Sequence, residues 1–227
     1  LQSEGIALPR GIRAVVGGEA LSPDLADWLV TNAAMCLNCY GPAEATITAT
    51  ASQSQNTELL RRIGSPFANT QIYVVDTRLQ PVPVGVSGEL LIGGVQLARG
   101  YANRAGLTAE RFVADPFSGV PGARVYRTGD RVRWCSDGTL EFLGRIDAQV
   151  KIRGMRVELG EIEAALTVQK GVAQAVVSAP QDGNGERWLV AYLVPSTLPV
   201  SHRTAHFPEA PQPVPLEGLV DLEAIRA

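Results

Sequence analysis

Two periodicities alternate along the chain. Ile12–Val16 (IRAVV) is a short apolar run that ends in Gly17-Gly18, which predicts a buried strand. Ser22-Pro23-Asp24 then supplies an N-cap hydroxyl, a proline at the first helical position and an acid behind it. Leu25, Trp28 and Leu29 give the helix its apolar stripe. A strand followed by a helix predicts a parallel, layered α/β arrangement. From Ile63 the pattern turns all-β, with strands at Gln71–Asp76 and Gly88–Ile92 separated by the turn Pro81-Val82-Pro83. Thr108 reads as the N-cap of a short helix carrying Phe112. Arg133-Trp134 and Leu140-Glu141-Phe142 flank Ser136-Asp137-Gly138, whose Asp-Gly pair provides the positive φ of a tight hairpin.

The stretch Gly144–Glu163 (GRIDAQVKIRGMRVELGEIE) changes the pattern again. Val150 and Ile152 alternate with Lys151 and Arg153 as in a half-buried strand; Gly154 interrupts it and Val157 resumes it. Leu159, Ile162 and Leu166 then fall at helical spacing, with Glu158, Glu161 and Glu163 around the first turn, where acids suit the helix dipole. A loop, strand, glycine and helix so rich in both signs of charge suggest a junction between two bodies. Beyond it the pattern predicts a helix over Glu161–Gln169, strands over Val172–Ser178 and Arg187–Val194, and a turn at Asp182-Gly183-Asn184-Gly185, a small α+β layer. Pro195–Pro215 holds six prolines and both histidines and reads as a surface loop, and Val220–Arg226 as the start of an amphipathic helix.

Composition narrows the field only a little. The chain has 227 residues, 45% hydrophobic and 19% charged, with a net charge of −3, so no basic field argues for nucleic acid or an anionic membrane. No apolar run is long enough to span a bilayer, and a cytoplasmic location is expected. Cys36, Cys39 and Cys135 are odd in number and sit in apolar contexts, so they read as reduced thiols. His202 and His206 are the only histidines, which leaves neither a histidine triad nor a zinc cluster.

The chemistry is concentrated in motifs. Asn38–Thr50 reads NCYGPAEATITAT, GELLIGGVQLARGYANR begins at Gly88, Tyr126–Asp130 reads YRTGD, and GRIDAQVKIRGMRVELGEIE follows. In this order they resemble the motifs of adenylation domains of nonribosomal peptide synthetases, members of the adenylate-forming superfamily. The resemblance implies the later part of the large domain of that fold, a strand–helix layer and a β-rich, barrel-like part, over residues 1–146. A small, incomplete α+β domain over 147–227 follows, with Asp147 as hinge. It implies that Asn38 meets the adenine edge, Tyr40 stacks on the purine, and Gly41 and Ala43 line the phosphate side. Glu44 would hold Mg2+, Asp130 the ribose hydroxyls, and Phe142 the nucleotide; Arg145 would reach ribose or phosphate. The residue types suit these roles: a flat aromatic for a purine face, an amide for its edge, a hard oxygen for magnesium. Where the family usually has threonine this chain has Ala43, so one hydroxyl contact to phosphate is missing; backbone N–H groups can still serve the anion.

The resemblance makes Glu44, Arg145 and Lys151 the candidate catalytic residues, and implies that Lys151 and the Arg153-Gly154 turn belong to the face presented during thiolation. By alignment Val15, Gly17, Cys39, Ile47 and Thr48 line the amino-acid pocket; none is charged, which favours an uncharged substrate. The implied reaction joins an amino acid to ATP, releases pyrophosphate and passes the aminoacyl group to the phosphopantetheine of a carrier domain, with a condensation domain as a further partner. A glycine-rich phosphate loop and a late lysine are expected outside residues 1–227, so this stretch alone is expected to bind rather than catalyse. The alternatives are an acyl-CoA ligase of the same superfamily and a non-catalytic module that docks a carrier. Nucleic-acid binding through Lys151, Arg153 and Arg156 is disfavoured, because the following acids offset the patch and no aromatic platform accompanies it.

Overall fold

A computed structural model describes residues 9, 11–147, 149–152, 155–181 and 187–196. The chain divides into two compact units, Leu1–Arg156 and Val157–Ala227.

The first unit opens with strand β1 (Arg13–Gly17), helix α1 (Pro23–Asn32) and strand β2 (Met35–Tyr40). The Ser22 hydroxyl accepts from Leu25 N, and Pro23 occupies the first turn, as its sequence predicts. β1 and β2 pair in parallel, with Val15 opposite Leu37 and Gly17 opposite Cys39. Strand β3 (Thr50–Gln53), the one-turn helix α2 (Thr57–Leu60) and strand β4 (Ser65–Pro66) complete a sheet of order β1-β2-β3-β4. Leu21, Ala26, Leu29, Cys36 and Leu60 form the core beneath it.

The β-rich part of the unit is a five-stranded antiparallel sheet. It contains β5 (Thr70–Val75) and β6 (Ser87–Gly94), then helix α3 (Ala105–Arg111), β7 (Phe112–Ala114), β8 (Arg124–Trp134) and β9 (Leu140–Arg145). The order is β5-β6-β8-β7, with β9 also on β8, so β8 bonds to β6 along one edge and to β7 and β9 along the other. Ile63, Val74, Leu90, Ile92, Val132 and Leu140 bury one face together with Ala45 and Ala49. Burial on this scale, at roughly 25 cal/mol per Å² of apolar surface, is what fixes the sheet's register. The expected hairpin forms at Asp137-Gly138, with Gly138 at φ 80°.

One local expectation fails here. Thr108 is not an N-cap: Arg104 holds that position, Thr108 lies inside α3, and Phe112 begins β7. The Thr108 hydroxyl instead accepts from Tyr101 N at 2.9 Å, so a capping-type side chain serves the preceding loop.

Past β9 come β10 (Val150–Ile152) and β11 (Met155–Val157), which pair as a two-stranded sheet. The second unit comprises α4 (Leu159–Thr167), β12 (Val172–Ser178) and β13 (Val190–Pro195), the last two antiparallel. The helix starts two residues before its expected position, and Glu163 accepts from Val177 N at 2.8 Å, tying α4 to β12. The expected turn at 182–185, the loop over 197–215 and the helix over 220–226 lie outside the described residues. No described helix is long and apolar enough to cross a membrane.

Candidate functional site

The first unit gathers its motif residues into two acidic clusters. In the first, Asp130 on β8 is 7% exposed. Its Oδ2 accepts a hydrogen bond from the Tyr40 hydroxyl, and its Oδ1 accepts from Arg145 at 2.9 Å. Arg145 also donates to the Thr128 carbonyl at 2.7 Å and, through Nε and Nη2, to both oxygens of Asp147 at 2.9 and 2.6 Å. One guanidinium thus joins two carboxylates in the forked geometry that strengthens such pairs. Gly129 makes this possible: its φ is +69°, and a Cβ there would stand 2.8 Å from Arg145 Nη2 and 2.9 Å from Asp147 Oδ2. The turn is closed by Ile146 N donating to Gly129 O at 2.8 Å.

Burial, and then the Asp130 charge, push the Tyr40 phenol well above its usual range, so it donates and does not ionise. Burial opposes ionisation of Asp147, yet Arg145 holds its carboxyl below the usual aspartate range. Phe142 of β9 flanks the Tyr40 ring, with centroids 6.4 Å apart. Lys151 of β10 reaches solvent, but surrounding protein atoms hold its ammonium below the usual lysine range, while the Asp130 charge works the other way. Tyr40, Asp130, Arg145 and Asp147, drawn from three motifs, therefore meet at one place, with Phe142 beside them.

The second cluster surrounds Glu44. Ala43–Ala45 forms a single 3-10 turn behind Pro42, not an α-helix, and it buries the Glu44 side chain. Glu44 Oε1 accepts from the Tyr101 hydroxyl at 2.6 Å and from Arg156 at 2.9 Å. The Tyr126 hydroxyl lies 3.4 Å from that of Tyr101. Burial alone would raise the Glu44 carboxyl, but the Tyr101 hydrogen bond and the Arg156 charge hold it below the usual glutamate range. The sequence points to Glu44 but to none of these three partners. Tyr101 stands in a motif that reads as structural, and Arg156 in a basic run that reads as a solvated face; no local signal pairs either with Glu44.

The remaining candidates divide. Asn38 is buried, and its amide donates to Leu60 O at 3.0 Å and Arg62 O at 3.1 Å. Both protons are thus spent on the backbone, and only Oδ1 remains to meet a ligand. Gly41 allows the chain to fold back: a Cβ there would stand 2.6 Å from Ile47 O and 2.7 Å from Ala49 N. Ala43 is exposed in the 3-10 turn. Val15 and Gly17 alternate onto the open face of β1, and Gly17 pairs with Cys39 so closely that a Cβ would stand 2.5 Å from Cys39 O. Ile47 follows the 3-10 turn in a left-handed conformation, φ 69°, and is 75% exposed; Thr48, next to it, is partly buried. Arg153 and Gly154 lie outside the described residues.

For magnesium the protein's own donor set is sparse: no group of three or more His, Cys, Asp or Glu gathers among the described residues. A magnesium ion carried by phosphates needs only one or two carboxylate oxygens from the protein, and the buried, ionised Glu44 fits that demand.

The chain resembles known proteins along most of its length. Residues 2–102 match the family described as AMP-binding enzyme. That match takes in somewhat less than half of the chain. Over most of its length the chain is similar to nonribosomal peptide synthetases and to their adenylation domains. A dimodular nonribosomal peptide synthase of Bacillus subtilis is 52% identical over 186 residues, which cover 82% of this chain and 8% of the synthase. An artificially fused adenylation–PCP di-domain from Klebsiella oxytoca superposes with a TM-score of 0.68 at 30% identity, over 82% of this chain and 35% of its own. A four-domain nonribosomal peptide synthetase, solved with AMP and glycine bound, superposes at 0.61 with 42% identity, over 88% of this chain and 15% of its own. The chain thus spans a small fraction of the curated relatives it matches.

Proposed function

We propose that the chain contributes the purine, ribose and hinge portions of a domain that condenses an amino acid with ATP to give aminoacyl-AMP and pyrophosphate, then passes the aminoacyl group to a phosphopantetheine thiol on a carrier domain. The observation that carries this reading is the bonded series Tyr40–Asp130–Arg145–Asp147. It joins residues from three motifs and presents one carboxylate beside an aromatic pair.

In this reading Tyr40 and Phe142 take the purine face, Asn38 Oδ1 and the Gly41–Ala43 backbone its edge and the phosphate side, and Asp130 accepts from the ribose hydroxyls. Arg145, already between two carboxylates, swings toward ribose or phosphate when the nucleotide displaces it from Asp130. Glu44 would hold a magnesium ion, which neutralises charge on the phosphates when bound. Lys151, with its lowered affinity for a proton, belongs to the face presented during thiolation. Asp147 is the pivot between half-reactions, lying just past β9 with its carboxylate held by Arg145. Val15, Gly17, Cys39, Ile47 and Thr48 would take an uncharged amino-acid side chain, since a buried charge would find no counter-ion among them. Carrier and condensation domains are the partners, and a cytoplasmic location follows from the supply of ATP.

The test is amino-acid-dependent exchange of pyrophosphate into ATP by the full-length protein. Exchange is expected with one or a few uncharged amino acids. Exchange with none of them, or equal stimulation by aspartate and lysine, overturns the reading. Acylation of coenzyme A without amino-acid-dependent exchange would favour the acyl-CoA ligase instead.

A further inference from the structure

The ion pair between Arg156 and Glu44 has no role in the reaction above, yet it occupies the one oxygen that Tyr101 also holds. Three facts bear on it. Glu44 is 9% exposed, and a carboxylate buried to that extent needs a cation or several donors to remain charged. The Tyr101 hydroxyl that fixes Glu44 comes from the loop before α3, so both lie upstream of Asp147 and keep their geometry when the backbone turns there. Arg156 lies downstream of Asp147, on β11, so with Asp147 as the pivot its contact with Glu44 would exist only in some settings of that turn.

We propose that Arg156 is the displaceable counter-ion of Glu44. It neutralises the carboxylate when no metal–nucleotide is present and must withdraw for a divalent cation to be held there. The inference rests on the reading of Glu44 as the metal-holding group and of Asp147 as the pivot. A guanidinium 2.9 Å from Oε1 would lie within a few ångströms of a divalent cation held by either oxygen of the same carboxylate, and the repulsion of the two positive centres opposes holding both at once. Release of the metal–nucleotide leaves a buried anion, and recapture of Arg156 removes that cost. The pair therefore favours the setting of the Asp147 turn found after the nucleotide has left. Tyr101 acts as a positioning residue, holding Oε1 in place for either cation.

The experiment titrates Mn2+·ATP into the full-length protein, followed by the electron paramagnetic resonance of Mn2+, for the wild type, Arg156→Gln, Arg156→Lys and Glu44→Gln. Amide hydrogen exchange over Val150–Val157 is measured in parallel without nucleotide. Arg156→Gln is expected to tighten Mn2+·ATP by about three- to tenfold, since a competing state is removed. It is also expected to speed exchange of the β10–β11 amides, whose anchor is lost. Arg156→Lys keeps the charge without the fork and is expected to lie between. Weaker Mn2+·ATP binding in Glu44→Gln, with unchanged or weaker binding in Arg156→Gln, overturns the competition and leaves the metal reading standing. Unchanged binding in Glu44→Gln overturns the metal reading, and the competition with it. If Arg156→Gln does not fold, binding by Arg156→Lys equal to or weaker than that of the wild type is the overturning result.

Discussion

The two acidic clusters of the first unit are built in opposite ways. Around Asp130 the partners are held within a strand, a tight turn and the next strand, apart from Tyr40, and one guanidinium serves both carboxylates. Around Glu44 the partners come from 57 and 112 residues further along, and two donors share one oxygen. The Asp130 cluster is therefore nearly fixed by local sequence. The Glu44 cluster depends on the whole unit having folded and on where β11 lies. Around Asp130 an exchange of partners needs only the Arg145 side chain to swing, whereas around Glu44 it needs the backbone of β11 to move.

That contrast can be broken most forcefully at Asp130. Asp130→Ala removes a charge-assisted contact worth about 1.5–3 kcal/mol, so nucleotide affinity in the full-length protein is expected to fall roughly ten- to a hundredfold. Calorimetric titration with ATP checks it; unchanged affinity would mean that the YRTGD carboxylate does not face the ribose. Next in size is Gly129→Ala. It places a methyl against the Arg145–Asp147 pair and forces a non-glycine residue to φ +69°, for a loss of about 1–3 kcal/mol of stability. Denaturant unfolding of this variant, compared with Gly106→Ala, where a Cβ meets nothing within 4 Å, separates the strain from a general effect of added methyls. Tyr101→Phe removes one hydroxyl from Glu44 and is expected to cost about 1 kcal/mol, with Mn2+·ATP binding weakened but nucleotide binding without metal unaffected.

The smallest effect is a dependence on acid. Asp147 has a folded pKa below its ordinary value, so the stability it confers is present above that ordinary value and disappears as pH falls through the folded one. Thermal unfolding midpoints should therefore drop below about pH 4. The part of the drop due to Asp147 should vanish in Asp147→Asn, and an undiminished slope in that variant would place the acid sensitivity elsewhere.

Where sequence is informative, the determining contact is local. The Ser22 cap, the Asp137-Gly138 hairpin and the period change into α4 each depend on neighbours a few positions away. Asp130, Arg145 and Asp147 are legible because their motifs have fixed spacing. Thr108 misleads for an instructive reason. A hydroxyl before an apolar run resembles a cap, but Gly100 passes so close that a Cβ there would stand 2.4 Å from Thr108 Cγ2, and the hydroxyl then serves Tyr101 N. Only the tertiary fold makes that choice. Asn38 is similar: an amide in a ligand motif also ties Leu60 and Arg62 to β2, a task that needs knowledge of where the chain returns. Tyr101, Tyr126 and Arg156 carry no spacing rule that links them to Glu44.

Strand β8 is eleven residues long and bonded along both edges, and Thr128, Gly129 and Asp130 sit in its middle. Its Thr128 hydroxyl donates to Leu90 O at 2.8 Å, which stitches the motif to β6 by side chain where the ladder is interrupted. The Asp130 carboxylate, proposed to meet the ribose, therefore belongs to the same cooperative unfolding unit as the centre of the sheet, and it cannot loosen by a local opening that spares the rest. Any softness required for turnover has to come from segments after Arg145. Heating should accordingly abolish nucleotide binding and melt the sheet in a single step, with no intermediate that keeps one without the other.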